Sequence, residues 1–311
     1  MRVLVIGAGA LGGYFGGRLA QAGRDVTFMV RSRRAEQLAR DGLQIISPKG
    51  NFAVNAPVLI AGARTDPFDL VLVALKSYSL DEAIDQFAPA VGPETTILPV
   101  VNGISHLQNL AARFGAGRVL GGMALISATL DADGRVIQLL PNDELVFGEL
   151  KGGLSDRTTA LSSLFEGADF DTRASDAIMQ DMWEKWTLLA TNAGVTSLMR
   201  APIGDIIAAP GGRDTILRLF RECSSVAEAS GFKPRPPFVE FCTTLLTQAG
   251  SPLKASVLRD IERGAPTEGE HVLGDMVARA HNLDVETPIL DLARTHVAAY
   301  EIGRTRAAPA S

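Results

Sequence analysis

The N-terminus constrains the fold most strongly, because a short strand pattern, RVLVI, runs into a glycine-rich turn, GAGALG, and then into a helical pattern, YFGGRLAQAG. The turn places Gly7, Gly9 and Gly12 in a GxGxxG spacing. In a dinucleotide-binding unit the first glycine makes the tight turn, the second admits the pyrophosphate and the third lets the helix pack on the strand. The motif alone is weak in a chain with 31 glycines, but its position favours a dinucleotide site over a purely structural turn.

The first half of the chain alternates apolar runs with helical patterns, which is typical of a parallel sheet covered on both faces. The runs lack polar alternation, as expected for strands that are buried on both sides. We expect such strands at 2–6, 25–30, 69–75, 95–101 and 118–127. Two further runs, 136–141 and 144–150, predict an antiparallel addition at a sheet edge.

From about residue 178 the strand-like runs stop, and amphipathic helical patterns follow one another. These patterns lie at 178–199, 212–230, 236–249, 253–263, 268–282 and 288–302. The sequence therefore predicts an α/β protein with an N-terminal Rossmann-type doubly wound sheet, 1–177, and a C-terminal all-helical domain, 178–311. We expect the tail RAAPAS to be frayed.

Composition limits the class of protein. A hydrophobic fraction of 46% with 21% charged residues is typical of a globular chain, and a net charge of −5 predicts neither a nucleic-acid nor a membrane partner. The two cysteines, Cys223 and Cys242, are too few for a disulfide framework. No segment has the roughly 18 uninterrupted apolar residues of a spanning helix. We expect a cytoplasmic protein.

The end of the second strand predicts which cofactor is bound, because an acidic residue there holds the ribose 2′-hydroxyl of NAD. This strand ends in Arg31, followed by Ser32, Arg33 and Arg34, whereas Asp25 stands at its other end. Guanidinium groups suit a 2′-phosphate. The sequence thus predicts NADP(H), with Arg31 as the stronger candidate; Arg33 and Arg34 alternatively form a solvated face of the next helix.

Two polar side chains follow later strands. Lys76 comes after the strand predicted at 69–75, and Asn102 after the one at 95–101. Open α/β sheets bind ligands at the carboxyl ends of their strands, so both are candidates to line a cleft beside nicotinamide and substrate. The alternatives are an ordinary loop lysine and a common Asn-Gly turn.

Lys185 stands between Trp183 and Trp186 in an otherwise apolar helical segment. One interpretation is a lysine whose stem lies on the core while its ammonium reaches water. The other is an ammonium in a partly dry cleft that donates to a substrate oxygen as hydride arrives at carbon. Periodicity alone does not distinguish the two.

Glu268 begins a later helical pattern, with Thr267 as the expected N-cap. A glutamate there also complements the helix dipole. Glu268 and His271 have a Glu-x-x-His spacing that binds metal in some bundles, but the four histidines supply no second copy of it. We therefore expect no metal.

Taken in order, these features resemble the ketopantoate reductase family, the 2-dehydropantoate 2-reductases. The shared features are the N-terminal GxGxxG unit, the lysine after a later strand, the Asn-Gly pair, W-x-K at the start of the helical domain and T-E on a late helix. The resemblance implies that NADP(H) is bound by Gly7, Gly9, Ala10, Leu11, Gly12, Arg31, Lys76 and Asn102. It implies catalytic roles for Lys185, as the acid, and Glu268, and substrate contacts from Asn102, Lys185, Asn192, Ser256 and Glu268.

The resemblance is incomplete in the substrate pocket. The family carries asparagines four and eight residues after the catalytic lysine and three before the serine, where this chain has Leu189, Ala193 and Leu253. Asn192 lies one residue away from the second of these positions, a rotation of about 100° on a helix. The substituted positions predict a more apolar pocket, and buried polar groups usually set such selectivity.

The resemblance implies reduction of a 2-keto acid to a 2-hydroxy acid, with hydride from NADPH and a proton from Lys185. Ketopantoate to pantoate, a step of pantothenate biosynthesis, is the default substrate pair. The alternatives are a related NADP-dependent dehydrogenase of a more apolar 2-oxo acid and a non-catalytic NADPH-binding sensor. The expected partners are a small-molecule 2-keto acid and, through apolar helical faces, a second copy of the chain in a homodimer.

Overall fold

The computed structural model describes residues 1–307, so the last four residues of the expected frayed tail, 308–311, lie outside the described part. The chain divides into two compact units, and the division falls after Met179. The domain boundary expected after residue 177 stays a prediction. The first unit contains the strands, and the described residues of the second form helices and turns.

The strands of the first unit fall into two sheets. Their bounds are β1 Arg2–Ile6, β2 Asp25–Val30, β3 Leu43–Ile46, β4 Phe52–Val54, β5 Val58–Ile60, β6 Leu70–Val73, β7 Thr96–Pro99, β8 Gly121–Leu130, β9 Val136–Gly148 and β10 Thr172–Ala174.

The α-helices are distributed over both units. Their bounds are α1 Ala10–Gln21, α2 Ser32–Asp41, α3 Leu80–Phe87, α4 Ser105–Phe114, α5 Asp156–Phe165, α6 Ile178–Met199, α7 Ile203–Ala208, α8 Gly212–Ala229, α9 Pro236–Leu246, α10 Ser256–Glu262, α11 Asp275–Asn282 and α12 Pro288–Ala307.

The first sheet is parallel throughout and has the order β5-β2-β1-β6-β7. Chain order reverses on either side of β1, whose last residue, Ile6, pairs with Met29 on one side and Val73 on the other. Strands β1, β2, β6 and β7 are buried almost throughout, which explains their unbroken apolar runs, whereas the edge strand β5 is partly exposed. This reversal is the point at which open α/β sheets bind ligands.

The second sheet has the order β10-β9-β3-β4, with β8 paired to β9. The run 118–127, expected as a further parallel strand, meets that expectation only at Val119, which forms a parallel bridge with Ile97 of β7. From Gly121 onward it forms β8, which pairs antiparallel with β9. The reason is the tight turn at Asp131–Arg135, where Gly134 has φ +75°, because a reversal this short joins antiparallel neighbours. The two runs expected as an edge addition, 136–141 and 144–150, form the single strand β9.

The remaining strands and one helix were not predicted. The short strands β3, β4, β5 and β10 have three or four residues each, too few to show a period. In the second unit, the predicted helical patterns correspond to α6 and α8 to α12, and the six-residue α7 adds to them. The predicted fold class, a Rossmann-type sheet followed by a helical region, is confirmed.

A π-helical turn at Glu270–Gly274 precedes α11 in the second unit. Such turns are rare and frequently occur at functional sites. Across residues 1–307, no helix combines the length and apolar character that crossing a bilayer requires.

Candidate active site

The glycine-rich turn of the first unit has three different geometries at its three glycines. Gly7 has φ +92° and donates its N–H to the Met29 carbonyl at 2.9 Å. A Cβ at Gly12 would lie 2.1 Å from the Gly7 carbonyl oxygen, so only glycine fits beneath the turn. A Cβ at Gly9 would meet nothing within 4 Å. The backbone is therefore open to a ligand at Gly9, where a pyrophosphate would approach.

Helix α1 starts directly after this opening. Gly9 is its N-cap, followed by Ala10 and Leu11, and no side chain caps the helix or places a negative charge in its first turn. The positive end of the helix dipole is thus available to an anion. A cavity of about 320 Å³ adjoins the turn, and none of its lining residues is acidic. These features fit a dinucleotide.

Two arginines line this cavity from the start of α2. Arg31 is exposed and pairs with the Glu82 carboxylate at 2.6 Å. Arg34, in contrast, is partly buried: its Nε donates to the Ala8 carbonyl oxygen at 3.1 Å and its Nη1 to the Gly134 carbonyl oxygen at 2.9 Å. Burial lowers the pKa of Arg34.

The structure therefore corrects the sequence interpretation of one arginine. Arg33 is exposed, as expected for a solvated helix face, but Arg34 joins the glycine-rich turn to the β8–β9 hairpin. The sequence pattern does not reveal this linking role of Arg34, because it depends on a contact with Gly134, which is 100 residues away.

Lys76 and Asn102 lie at one edge of the parallel sheet. Strands β6 and β7 are neighbours, and their last residues, Val73 and Pro99, pair with each other. Lys76 and Asn102 each follow that pair by three residues, so both lie beyond the carboxyl ends of the strands. Lys76 is exposed and Asn102 is partly buried. Their side chains are placed where such sheets bind ligands.

In the second unit, α6 is buried over most of its length. Between residues 181 and 197, the side chains that retain partial exposure are Lys185, Leu188 and Leu189. Because these residues are three and four positions apart, they share one face of the helix. Among these partly exposed side chains, Lys185 is the polar one.

The surroundings of Lys185 change the pKa of its ammonium group. Burial lowers its pKa from 10.5 to about 8, and the negative charge of Glu268 acts in the opposite direction. Desolvation disfavours the charged form of a lysine, while a nearby carboxylate favours it. A pKa near 8 lets Lys185 exchange a proton near neutral pH, which an ordinary surface lysine does not do.

Glu268 is buried and lies just before the helical segment that begins at the π-turn. The Thr267 Oγ1 accepts the Gly269 N–H at 3.3 Å, and the Thr267 N–H donates to the Glu301 carboxylate at 2.7 Å. The N-cap of the helical turn that follows is Gly269, which makes no side-chain cap bond, so Thr267 is not the N-cap that the sequence predicts. The bond from Thr267 to Glu301 instead anchors the segment to α12. The structure thus brings Glu268 within electrostatic reach of Lys185, although 83 positions separate them in sequence (268 − 185).

Asn192 lies seven residues after Lys185, almost two helical turns, and so projects from the same side of α6. It is 8% exposed, and its Oδ1 accepts no hydrogen bond within the described part of the chain. The Thr196 hydroxyl donates to the Asn192 carbonyl oxygen at 2.6 Å and accepts the Ala255 N–H at 3.4 Å. Ser256, the first residue of α10, directly follows Ala255. These two hydrogen bonds therefore connect the backbone at Asn192 to the start of the helix that carries Ser256.

Comparison with known proteins identifies the family. The profile described as ketopantoate reductase PanE/ApbA matches residues 3–152, and the profile of the C-terminal part of the same family matches residues 177–301. The chain belongs to the ketopantoate reductase family. It is therefore an NAD(P)-dependent oxidoreductase that acts on a CH–OH or C=O group and takes a small-molecule substrate.

Three known proteins, a curated relative and two solved structures, are similar to this chain. The chain is 38% identical to YkpB of Bacillus subtilis, named an uncharacterized oxidoreductase, over 97% of this chain and 99% of that protein. It is 28% identical to the solved 2-dehydropantoate 2-reductase of Geobacter metallireducens, with a TM-score of 0.88 over 96% and 99% of the two chains. The solved D-mandelate dehydrogenase with NADH and anilino(oxo)acetate shares the fold at 19% identity, with a TM-score of 0.89 over 98% and 100%.

Proposed function

We propose that this member of the ketopantoate reductase family reduces a 2-keto acid to a 2-hydroxy acid, with NADPH as hydride donor and Lys185 as general acid. The observation that carries the proposal is the environment of Lys185, a partly exposed residue of α6. Burial lowers the pKa of its ammonium to about 8, and the negative charge of Glu268 opposes that shift. A general acid is most effective when its pKa lies near the operating pH.

The nicotinamide cofactor, when bound, supplies the hydride that adds to C2 of the keto acid. As that bond forms, the C2 oxygen becomes alkoxide-like. The Lys185 ammonium stabilises this charge and gives its proton to the oxygen, leaving a neutral amine and the 2-hydroxy acid. The amine regains its proton from water, and the negative charge of Glu268 favours this step.

We assign the cofactor to the glycine-rich turn and the arginines beside it. Gly7, Gly9, Ala10, Leu11 and Gly12 would hold the pyrophosphate, and Arg31 would hold the 2′-phosphate of NADPH. Support comes from the open backbone at Gly9, the uncapped start of α1 and the absence of an acidic residue among the cavity's described lining residues. Lys76 and Asn102 would contact the nicotinamide half, and Asn102 the substrate as well.

The substrate contacts are assigned to Asn102, Asn192, Ser256, Lys185 and Glu268. The Asn192 side chain supports this assignment, because its buried Oδ1 has no donor within residues 1–307 and a buried amide oxygen without a donor is costly. Ketopantoate is the default substrate, which would place the enzyme in pantothenate biosynthesis.

A second candidate substrate class is a larger or more apolar 2-oxo acid. Leu189 favours this class, because it contributes apolar surface to the same partly exposed face as Lys185. Ala193 and Leu253 favour it too, because they occupy the other two positions at which the family carries asparagine. The aromatic ligand named for the D-mandelate dehydrogenase structure shows that this fold accommodates such a molecule. We also propose that the chain forms a homodimer, which light scattering would test.

The experiment is an initial-rate assay of NADPH oxidation with ketopantoate and a panel of aliphatic and aromatic 2-keto acids, with NADH as the cofactor control. Turnover of ketopantoate with the highest kcat/KM supports the default substrate. A preference for an apolar 2-keto acid supports the second candidate. Absence of turnover with every keto acid contradicts the proposal.

A further inference from the structure

A side-chain hydrogen bond links the helix that carries Lys185 to the turn that follows Glu268. Trp186, the residue after Lys185, is 1% exposed, and its indole Nε1 donates to the Val272 carbonyl oxygen at 2.9 Å. The Val272 N–H in turn donates to the Glu268 carbonyl oxygen at 2.9 Å. Val272 therefore accepts a hydrogen bond from Trp186 and donates one to Glu268.

Val272 occupies the middle of the π-helical turn Glu270–Gly274. A π-turn departs from regular helix geometry and is held by its tertiary contacts. A buried indole N–H needs an acceptor, so the bond from Trp186 both satisfies the indole and fixes this irregular turn against α6. The position of the Glu268 backbone depends on that turn.

Trp183 provides an internal comparison for Trp186. Both rings are 1% exposed, their centroids are 4.9 Å apart, and the Arg279 guanidinium lies 5.6 Å from one and 5.5 Å from the other. The two indoles differ in their N–H groups, because the Trp183 Nε1 has no acceptor within the described part of the chain. Both tryptophans thus share these contacts, and Trp183 in addition stacks on Phe232 at 5.6 Å, while the link to Val272 belongs to Trp186.

We propose that Trp186 is a positioning residue, whose N–H bond to Val272 sets the distance between the Glu268 carboxylate and the Lys185 ammonium. This inference rests on the proposed function only for its consequence in catalysis. Loss of the bond would let the π-turn relax and move the Glu268 charge away from Lys185.

The other charged groups around Lys185 are engaged elsewhere. Asp181, one turn earlier on α6, and Glu184 pair with Arg235. On the facing segment, Asp275 pairs with Arg279 at 3.3 Å, and His271 lies within the π-turn. The charge of Glu268 acts on the Lys185 pKa and raises it against the effect of burial.

The test compares Trp186→Phe with Trp183→Phe in the full chain without substrate. Each change removes one indole N–H and a similar buried volume. The Lys185 pKa is followed by ¹³C NMR after reductive methylation with ¹³C-formaldehyde, with a Lys185→Arg variant to assign the signal. We expect Trp186→Phe to lower that pKa by about half a pH unit or more, and Trp183→Phe to leave it within about 0.2 of the unmodified chain.

Equal shifts in both variants, or no shift in Trp186→Phe, would overturn the positioning role. If Trp186→Phe does not fold, β-(3-benzothienyl)alanine at position 186 keeps the ring shape and lacks the N–H, and the same shift is expected. Because the pKa is read without turnover, this result is separate from the keto acid assay. Failure of every keto acid refutes the proposed function alone, whereas an unchanged pKa in an active enzyme refutes the positioning role alone.

Discussion

The negative charge of Glu268 raises the pKa of Lys185 and burial lowers it, and burial has the larger effect. The result is an ammonium whose pKa is about 8 instead of 10.5. A lysine in water would hold its proton too tightly to be an efficient donor at neutral pH, and a fully desolvated one would lose its charge. The pair therefore keeps the ammonium charged at neutral pH while leaving its proton transferable.

The pH dependence of the reaction follows from this pair. The folded pKa of Lys185 is lowered to about 8, so the proton-donating ammonium is half populated near pH 8, predominates at lower pH and is lost as the pH rises further. We expect kcat for keto acid reduction to be level below that pH and to fall about tenfold per pH unit above it. In Glu268→Gln the midpoint moves to lower pH, because the charge that raises the pKa is gone. A midpoint that stays in place in this variant, shown to be folded by circular dichroism, would contradict the coupling.

The glycine-rich turn predicts opposite outcomes for two substitutions. Gly9→Ala adds a methyl group to open space, so the free energy of unfolding stays nearly unchanged while the NADPH Kd rises about tenfold or more. Gly12→Ala forces a Cβ onto the Gly7 carbonyl and lowers the free energy of unfolding by about 1–3 kcal/mol. Denaturant unfolding and NADPH fluorescence titration measure the two effects. Tight NADPH binding by Gly9→Ala would show that the pyrophosphate lies elsewhere.

Cofactor selectivity is expected to depend on Arg31 and Glu82. Arg31→Ala removes a charge-assisted contact to the 2′-phosphate, so KM for NADPH rises about 10- to 100-fold while KM for NADH changes little. Glu82→Gln releases Arg31 from an exposed ion pair and removes a negative charge nearby, so KM for NADPH falls. Steady-state kinetics with both cofactors test this. Equal losses with NADPH and NADH in Arg31→Ala would place the 2′-phosphate away from Arg31.

Much of this arrangement could be predicted from sequence because it is local. The strand, glycine turn and helix at the N-terminus and the helix around Lys185 each lie within one continuous segment whose periodicity is clear. The run that forms β8 was expected in the parallel sheet, but most of it pairs with β9, because apolar runs do not specify a pairing partner. Arg34 and Trp186 were missed for a related reason, since their contacts at Gly134 and Val272 are 100 and 86 residues away.

The substrate pocket can be tested by restoring an amide. Leu189→Asn places a hydrogen-bonding side chain on the partly exposed face beside Lys185. We expect kcat/KM for ketopantoate to rise about tenfold relative to that for an apolar 2-keto acid. Leu188→Asn, a change of the same size at the neighbouring position of that face, is the control and should not shift the ratio. If both variants shift the ratio alike, polarity in general and not the position of the amide sets selectivity.

The most direct test of the account is single-turnover reduction of the preferred keto acid by Lys185→Ala, with NADPH affinity measured in parallel. We expect the rate to fall about 10²- to 10⁴-fold, the usual contribution of a general acid, while the NADPH Kd stays unchanged. Lys185→Arg should be similarly slow, because its guanidinium keeps the charge but holds its proton too tightly to donate it. Full turnover in Lys185→Ala, with normal NADPH affinity, would contradict the assignment of Lys185 as the acid.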